Sequence, residues 1–598
     1  MPASAPVHYR VAVANPHEHH FAVELTIRRP AARQVVSLPV WIPGSYLVRE
    51  FARHLNGLAA CQGNTACSVE QLDKCSWAIA ADPRRPLTLR YRIHALDASV
   101  RTAWLDAERG FFNGTSLLLR VHGQEAGAHA LSVRRPRAAA AGWQLATAMT
   151  PVRVDAHGFG DYRAADYDEL VDHPVEMGAF WSGEFEAGGV PHRFIVAGAP
   201  ASFDGARLLH DAERICSTAI RFWHGDGAPP FDHYVFLLNA VGDGYGGLEH
   251  RASTALICKR GDLPRLDAPA AAPPPEGYVS LLGLISHEYF HAWNVKRLKP
   301  AEFAPYDYAR ENYTRLLWFF EGLTSYYDDL LLRRAGLIDD AAYLKLLTRT
   351  TNQVLQAPGR HMQSVAQASF DAWVRFYRPD ANTPNSTISY YAKGALVALC
   401  LDLTLRSEGR ATLDDVMRAL WQRCAGGPLT EADIAAVLAE LGGRSFAREL
   451  ADWVHGTGEL PLEPLLAAHG IEVARDPSPL AQALGLRVEE DRGIRLKVVL
   501  DGSPAAAAGL AAGDEWLGLE VPATAPTGVR ARAGVETAWR LTRLDDIPLY
   551  AGPARTVIAL VARDQRLLRL PLTLPEPGTT WRLAPRKEAA SASPWPGG

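Results

Sequence analysis

The chain has 598 residues, of which 48% are apolar and 21% charged, and its formal net charge at pH 7 is -4. Length and composition predict several globular domains of ordinary soluble type. The near balance of charge excludes the basic face that nucleic-acid binding needs, and no apolar stretch reaches the length expected of a membrane span.

The seven cysteines are few, odd in number and scattered, which favours free thiols in a reducing compartment. The N-terminal 20 residues contain no apolar segment behind a basic start, so no signal peptide is evident. These features predict a cytoplasmic protein, or a periplasmic one if a leader has been removed.

The first part of the chain, residues 1–175, has the pattern of a β-sandwich. Residues 7–13 and 21–27 alternate apolar and polar side chains with period two, and turn residues separate them. Similar runs occupy residues 87–93, 116–121 and 130–134. Many short strands joined by turns are typical of a sandwich of two sheets.

Residues 176–465 are predicted to form a second domain, which mixes strands and helices up to about residue 300 and is helical after it. Residues 193–197 and 233–238 have strand patterns, and residues 206–223 between them have a helical period. Together with the first domain, this arrangement predicts a multidomain α+β protein.

A glycine-rich segment follows these strands. Gly246 and Gly247 precede Glu249 closely, and glycine lets a backbone lie flat against a ligand because a Cβ would block the approach. Glu249 is therefore placed to bind a cationic group. The alternative interpretation is a hairpin turn with an exposed glutamate.

The apolar segment 281–293 contains the pattern H-E-x-x-H. In a helix, His287 and His291 lie one turn apart on one face, where both can bind the same metal ion. Glu288 lies beside them, where it can deprotonate a water that the metal activates. The alternative is a pair of structural histidines in the core.

A zinc site of this kind needs a third protein ligand and one open position for water. Glu321 is the one carboxylate in the apolar run 318–327, where a charge is costly unless it is paired or bound to a metal. A salt bridge to a buried arginine is the alternative. The two histidines need a carboxylate as the third ligand, and Glu321 can supply it. The sequence therefore predicts one Zn²⁺ per chain, held by His287, His291 and Glu321.

The helical part continues with residues 341–356 and with a helix after residues 387–394. Peptide hydrolysis places negative charge on the former carbonyl oxygen, which needs a hydrogen-bond donor besides the metal. A phenol, protonated at neutral pH, can donate that bond. Tyr391 is the candidate and Tyr390 the alternative in register; a tyrosine that only packs at the helix start is the remaining interpretation.

Residues 475–580 are predicted to form a small β domain. Residues 494–500 have a strand pattern, and residues 502–514 have the pattern of a short helix that ends in a Gly-Asp turn. This order of elements resembles a bacterial PDZ domain. The segment 585–598, rich in Ala, Ser and Pro, is predicted to be a disordered tail.

The resemblance to PDZ domains implies a site for a peptide C-terminus. Such domains bind an extended peptide by strand addition, while backbone amides of one loop surround its terminal carboxylate. Leu484, Gly485 and Leu486 correspond to that loop. A PDZ domain that only packs against its neighbours is the alternative.

The motifs together resemble the gluzincin metallopeptidases, in which H-E-x-x-H is followed by W-x-x-E-G. They are most similar to the glycyl-aminopeptidase-like family, M61, in four features: HEYFHAWNVKRLKP, WFFEGLTSYY, the upstream GGLEH and the PDZ pattern. Residues 39–51 also resemble the signature of that family's N-terminal domain. The long spacing from His291 to Glu321 predicts an inserted loop over residues 296–310.

The resemblance implies a thermolysin-like zinc peptidase domain and an aminopeptidase that acts on peptides with a free N-terminus. It implies that Glu249 binds the α-amino group and that the backbone of Gly246 and Gly247 pairs with the peptide. It further implies that Tyr391, in Y-x-K-G, stabilises the oxyanion. Small N-terminal residues, glycine and then alanine, are the implied preference.

Two other functions compete with this one. A zinc endopeptidase would keep the metal chemistry in a cleft open at both ends, with Glu249 turned away from it. A peptide-binding scaffold would use the PDZ domain for recognition and the second domain for positioning. Intact metal ligands and an intact Tyr391 favour the enzyme.

Overall fold

The structure is a computed structural model that describes residues 5–136, 142–268, 273–521 and 537–586. The N-terminal part is β-rich. Its elements are β1 (Val7–Asn15), β2 (His20–Ile27), β3 (Arg33–Ser37), β4 (Leu55–Gln62), β5 (Thr65–Cys67), β6 (Val69–Gln71), β7 (Ser76–Ala80), β8 (Leu87–His94), β9 (Ala103–Leu105), β10 (Arg109–Phe112), α1 (Gly114–Leu117), β11 (Arg120–Val121), β12 (His129–Val133), β13 (Gln144–Ala146), β14 (Thr150–Val154), β15 (Gly160–Ala164), α2 (Tyr167–Val171) and β16 (Val175–Gly178).

These strands form three sheets around one core. The largest has the order β14-β15-β12-β1-β2-β8-β4-β5, and two four-stranded sheets have the orders β13-β16-β10-β9 and β11-β3-β7-β6. Along β2 every second residue is buried, as the period-two pattern predicts for a strand with one face on the core. The expected β-rich N-terminal part is confirmed.

The predicted strand at residues 116–121 is wrong over its first half. Residues 114–117 form the helical turn α1, and only Arg120 and Val121 pair as a strand. The Asn113 amide donates to the carbonyls of Val100 and Thr102, and the Ser116 hydroxyl donates to the Asn113 carbonyl. Such local side-chain bonds to the backbone compete with a strand ladder.

The second part is built on a five-stranded sheet with helices packed against it. Its elements are β17 (Phe180–Ala187), β18 (Val190–Ala197), α3 (Gly205–His224), β19 (Tyr234–Val241), β20 (Gly246–Glu249), β21 (Ser253–Lys259), α4 (Glu276–Phe290), β22 (Lys299–Pro300), α5 (Leu317–Arg334), α6 (Asp340–Leu355), α7 (Val365–Phe370), α8 (Thr383–Ser386), α9 (Tyr390–Glu408), α10 (Leu413–Arg423), β23 (Pro428–Leu429), α11 (Glu431–Gly442), α12 (Ala447–Glu449) and α13 (Leu462–Ala468).

Strand β20 lies at the edge of this sheet, whose order is β17-β18-β19-β21-β20. It pairs antiparallel with β21 only, from Gly246 opposite Ile257 to Glu249 opposite Thr254. Among the described residues, the other edge of its backbone has no strand partner, and there the Gly247 carbonyl accepts from Arg101. The predicted strand and helix patterns around it, residues 193–197, 206–223 and 233–238, are confirmed.

Helices α5 and α9 cross where two glycines meet. A Cβ on Gly322 would lie 2.6 Å from the Gly394 Cα, and one on Gly394 would lie 2.7 Å from the Trp318 carbonyl oxygen. The bare backbones let the helix axes approach closely. Helix α9 starts at Ser389, whose hydroxyl accepts from the Ala392 amide, and this start sets the direction of the tyrosines that follow it.

The loop expected at residues 296–310 is present between α4 and α5. It packs against the N-terminal part, where the Val40 amide donates to the Tyr308 carbonyl and the Trp41 indole donates to the Asp307 carbonyl. The side chains of Trp41 and Tyr308 are buried. These contacts bring the first and second parts of the chain together beside β20.

The third part forms a small separate core, which includes Leu484 and Trp516. This stretch of the chain contains β24 (Ile471–Pro477), α14 (Leu480–Leu484), β25 (Leu486–Glu489), β26 (Ile494–Val499), α15 (Pro504–Ala507), β27 (Glu515–Val521), β28 (Thr537–Arg540), α16 (Ile547–Ala551), β29 (Thr556–Arg563), β30 (Arg566–Thr573) and β31 (Thr579–Pro585). Strands β24 and β31 pair with each other, and their residues Ile471 and Leu583 belong to the core of the second part. The sheet has the order β25-β26-β27-β29-β30, with β28 also on β27. Residues 587–598 of the expected tail lie outside the described residues.

One helical segment, Thr383–Glu408, meets the length and apolar composition of a membrane span. The sequence analysis expected no apolar stretch of that length. Of its most apolar window, 83% is buried inside the protein. Buried core helices pass the same test, so the segment is weak evidence for a membrane.

Candidate metal centre

The end of helix α4 brings two imidazoles together. His287 lies in its last turn and His291 directly follows it, and their Nε2 atoms are 3.1 Å apart. Helix α4 is buried along most of its length between the sheet and α5. Polar groups lie at both of its ends, with Glu276 in the first turn and His287 and Glu288 in the last.

Glu321 on α5 completes the set. Its Oε2 lies 3.2 Å from His291 Nε2 and 3.7 Å from His287 Nε2, and the three ligand atoms lie within 4.8 Å of one another. Tetrahedral zinc with bonds of 2.0–2.2 Å places its ligand atoms about 3.3 Å apart. The spacing of these three atoms therefore fits a zinc ion.

Each imidazole is oriented by a bond to its other nitrogen. His287 Nδ1 lies 2.9 Å from Asp328 Oδ2, and His291 Nδ1 lies 2.6 Å from the Asn294 carbonyl oxygen. When Nδ1 carries the proton and donates to these oxygens, the lone pair of Nε2 points at the shared centre. Sequence analysis missed Asp328, although it lies seven residues after Glu321, on the same face of α5.

The charges of the cluster favour a cation. Burial lowers the pKa of His287, but hydrogen bonds to Asp328 and Glu321 outweigh it and raise that pKa well above its usual range. Burial raises the pKa of Glu321, yet the two histidines lower it to about 2. A divalent ion supplies the same positive charge at the ligand atoms and leaves both imidazoles neutral.

Glu288 lies over the edge strand. A Cβ on Gly247 would come 2.1 Å from Glu288 Oε1, so the missing side chain of Gly247 makes the space for this carboxylate. Among the described residues, Glu288 Oε2 has no hydrogen-bond partner. Burial raises the pKa of Glu288 to about 7, which suits a group that must accept and release a proton near neutral pH.

Glu249 ends the same strand and is 3% exposed. Both of its carboxylate oxygens approach Gly44 of the N-terminal part, where a Cβ would lie 2.5 Å from each. Gly44 has φ +92°, a conformation that favours glycine. Burial raises the pKa of Glu249, and no described residue bonds to its Oε1. The exposed hairpin glutamate, the alternative interpretation, is wrong.

The phenols of Tyr391, Tyr377 and Tyr46 lie near the candidate metal ligands. The ring of Tyr391 lies 6.3 Å from that of His287, centroid to centroid, and its hydroxyl lies 3.4 Å from the Tyr377 hydroxyl. The Tyr46 hydroxyl donates to Glu321 Oε1 over 3.4 Å. Tyr390 is fully buried. Tyr46 and Tyr377 were missed by sequence analysis, although Tyr46 belongs to the segment 39–51 that it singled out.

Both the sequence and the fold of this chain match known proteins. Residues 8–179 match the Peptidase M61 N-terminal domain, and residues 280–397 match the M61 glycyl aminopeptidase domain. The chain is 35% identical to an aminopeptidase N family protein from Idiomarina loihiensis, with 97% of this chain and 98% of that one covered and a TM-score of 0.88. The chain belongs to the M61 peptidase family.

Structures of an M1 zinc metallopeptidase also match this M61 chain, at lower identity. A mutant M1 zinc metallopeptidase from Deinococcus radiodurans, bound to Tyr-Ser-Ala, is 14% identical; the alignment covers 76% of this chain and 94% of that one, with a TM-score of 0.45. A comparison with curated proteins gave no match. Family membership therefore rests on the two domain matches and the 35% identical structure, which support a peptidase.

Replacement of Asp328 tests how the M61 metal centre is held. In Asp328→Asn the neutral amide oxygen attracts the Nδ1 proton of His287 less strongly than the carboxylate does, so we expect zinc retention to weaken roughly 10- to 100-fold. Zinc per chain, measured against a graded chelator, gives the change. Asp329→Asn is the matched control, because burial raises the pKa of Asp329 well above its usual range and a neutral amide resembles its acid. Equal losses of zinc in Asp328→Asn and Asp329→Asn would contradict the role of Asp328 in orienting His287.

Proposed function

We propose that this M61 protein is a zinc-dependent aminopeptidase, with the catalytic domain of a thermolysin-like gluzincin. The observation that carries the proposal is the position of Glu249. It is a buried carboxylate whose Oε1 has no partner among the described residues, on the edge strand that also passes beneath Glu288. A free α-amino group, positively charged at neutral pH, is the part of a peptide that such a carboxylate binds.

When bound, zinc supplies Lewis-acid polarisation of the scissile carbonyl and lowers the pKa of water. His287, His291 and Glu321 would hold it. Glu288 accepts the proton of the attacking water at its unpartnered Oε2 and then donates it to the leaving amine nitrogen. Its raised pKa makes both transfers accessible near pH 7.

Glu249 determines which peptide bond is cut. With the ammonium held there, the first peptide bond lies near Glu288, since successive residues of an extended chain are about 3.3 Å apart. The resulting geometry favours release of one N-terminal residue. The description of the family as glycyl aminopeptidases supports a preference for small N-terminal residues, Gly and then Ala.

Hydrolysis of Gly- and Ala-p-nitroanilide beside their N-acetylated forms tests this proposal, with zinc measured on the same sample. We expect turnover of the free amines only, with one zinc per chain. In Glu249→Gln, loss of the charged bond should lower kcat/KM for the free amines about 10- to 100-fold. Glu288→Gln should abolish turnover, and Glu472→Gln, an exposed residue of β24, should retain it.

Other outcomes favour the competing functions. Cleavage of N-acetylated peptides by the unaltered protein, unaffected by Glu249→Gln, would support a zinc endopeptidase. A zinc-loaded protein that cleaves neither kind of substrate would support a peptide-binding scaffold.

We assign oxyanion stabilisation to Tyr391, supported by the proximity of its ring to His287. Burial raises its pKa well above the usual range, so the hydroxyl keeps the proton that it donates. Tyr391→Phe should lower kcat about 100-fold and leave zinc content unchanged. Tyr390→Phe is the matched control; a loss confined to that variant would instead support the alternative register.

We propose that the third part of the chain is a PDZ domain that takes a peptide C-terminus at Leu484, Gly485 and Leu486. Gly485 has φ +74° between α14 and the edge strand β25, and its carbonyl accepts from the Leu500 amide. In fluorescence anisotropy with the Glu288→Gln protein, labelled peptides with an apolar C-terminus should bind, and their C-terminal amides should not. Equal binding of both, or none, would contradict the assignment.

A further inference from the structure

Two arginines of the N-terminal part, Arg49 and Arg101, each make one side-chain hydrogen bond to the described residues of the M61 chain. Arg49 Nη2 donates to the Ser45 hydroxyl over 2.8 Å, and Arg101 Nη2 donates to the Gly247 carbonyl over 3.0 Å. The Nε of each is buried and has no partner among the described residues. Neither guanidinium forms a salt bridge with a carboxylate in the parts of the chain that the structure describes.

Arg101 lies against the edge strand. Besides its bond to the Gly247 carbonyl, its Nη1 lies 3.7 Å from where a Cβ of Gly246 would stand. Its charge also reaches Tyr377: burial and Glu321 raise the pKa of that phenol, and Arg101 lowers it. Arg101 is therefore on the cleft side of β20, near the phenols that face the metal ligands.

The guanidinium of Arg49 lies within electrostatic reach of Arg101. Burial, and then the charge of Arg101, lower the pKa of Arg49 to about 10. Asp97 attracts Arg49 from beyond ion-pairing distance. Two like charges in a half-buried place are unfavourable unless an anion lies between them.

The order of groups along β20 indicates where the two arginines lie relative to a bound substrate. Glu249 stands at the C-terminal end of the strand, Glu288 lies over Gly247, and Arg101 spans Gly247 and Gly246. A peptide held by its ammonium at Glu249 and cut beside Glu288 therefore runs toward Arg101 with its leaving portion. At about 3.3 Å per residue, the second residue reaches the guanidinium.

We propose that Arg101 and Arg49 form an anion subsite for a carboxylate on the second residue of the substrate, an inference that rests on the proposed aminopeptidase function. The carboxylate is either the α-carboxylate of a dipeptide or the side chain of Asp or Glu. The free donors of both guanidiniums match its oxygens, as in other arginine–carboxylate pairs. The substrate class is thus short or acidic peptides with a small first residue.

Paired substrates separate the two sources of the carboxylate. The ratio of kcat/KM for Gly-Ala over Gly-Ala-amide measures the α-carboxylate, and the ratio for Gly-Glu-amide over Gly-Gln-amide measures the side chain. At least one ratio should be about 10 to 100 in the unaltered protein. It should fall toward 1 in Arg101→Gln and in Arg49→Gln, and Arg101→Lys should retain part of it. Each variant is compared at equal zinc content and after its Tm is measured.

Arg92→Gln is the matched control, since this exposed arginine lies on the outer face of the eight-stranded sheet and its removal changes the net charge equally. Its ratios should match those of the unaltered protein. Ratios near 1 in the unaltered protein, or an equal fall in Arg92→Gln, would overturn the subsite.

Calorimetry on the zinc-loaded Glu288→Gln protein separates this inference from the catalytic proposal. There Gly-Ala or Gly-Glu-amide should bind more tightly than its uncharged partner, and Arg101→Gln in the same background should remove the difference. This measurement needs no turnover, so it supports or overturns the subsite even if the protein does not act as an aminopeptidase.

Discussion

The cleft depends on a positive charge that offsets its buried carboxylates. Glu249, Glu288 and Glu321 are each at most 5% exposed, and Asp328 lies behind His287. Carboxylates at this density are unfavourable in a protein interior unless a cation binds among them. The ligand atoms of His287, His291 and Glu321 lie close enough together to hold one cation between them. A metal ion bound at these atoms would therefore stabilise the fold.

Close backbone approaches hold these charges in position. Gly322 against Gly394 sets the separation of the helices that carry Glu321 and Tyr391, and Gly247 leaves the space that Glu288 occupies. A methyl group at either place would meet atoms at less than 3 Å. Since packed helices move as bodies, small displacements there would reach the ligand atoms.

The N-terminal part of the chain forms one wall of the cleft. Gly44 confines the carboxylate of Glu249, Tyr46 donates to Glu321, and Arg101 binds the carbonyl of Gly247. Groups of the N-terminal part thus orient Glu249, the candidate metal ligand Glu321 and the edge strand β20 of the second part. This shared construction explains why the first two parts pack through buried aromatic side chains rather than through a flexible linker.

Short-range sequence patterns determined much of this protein. The spacing of His287 and His291 on one helix, the lone carboxylate of Glu321 in an apolar run, and the alternation along the N-terminal strands follow from the 3.6 and 2.0 periodicities of the backbone. Tertiary structure alone decided that Asp328 orients His287, that Tyr46 and Tyr377 face the metal ligands, and that Arg49 and Arg101 lie beside the edge strand. Asp328 lies only seven residues after Glu321, but the other partners are separated from the motif by tens to hundreds of residues. No local periodicity records which distant side chains the packing of sheets and helices brings together.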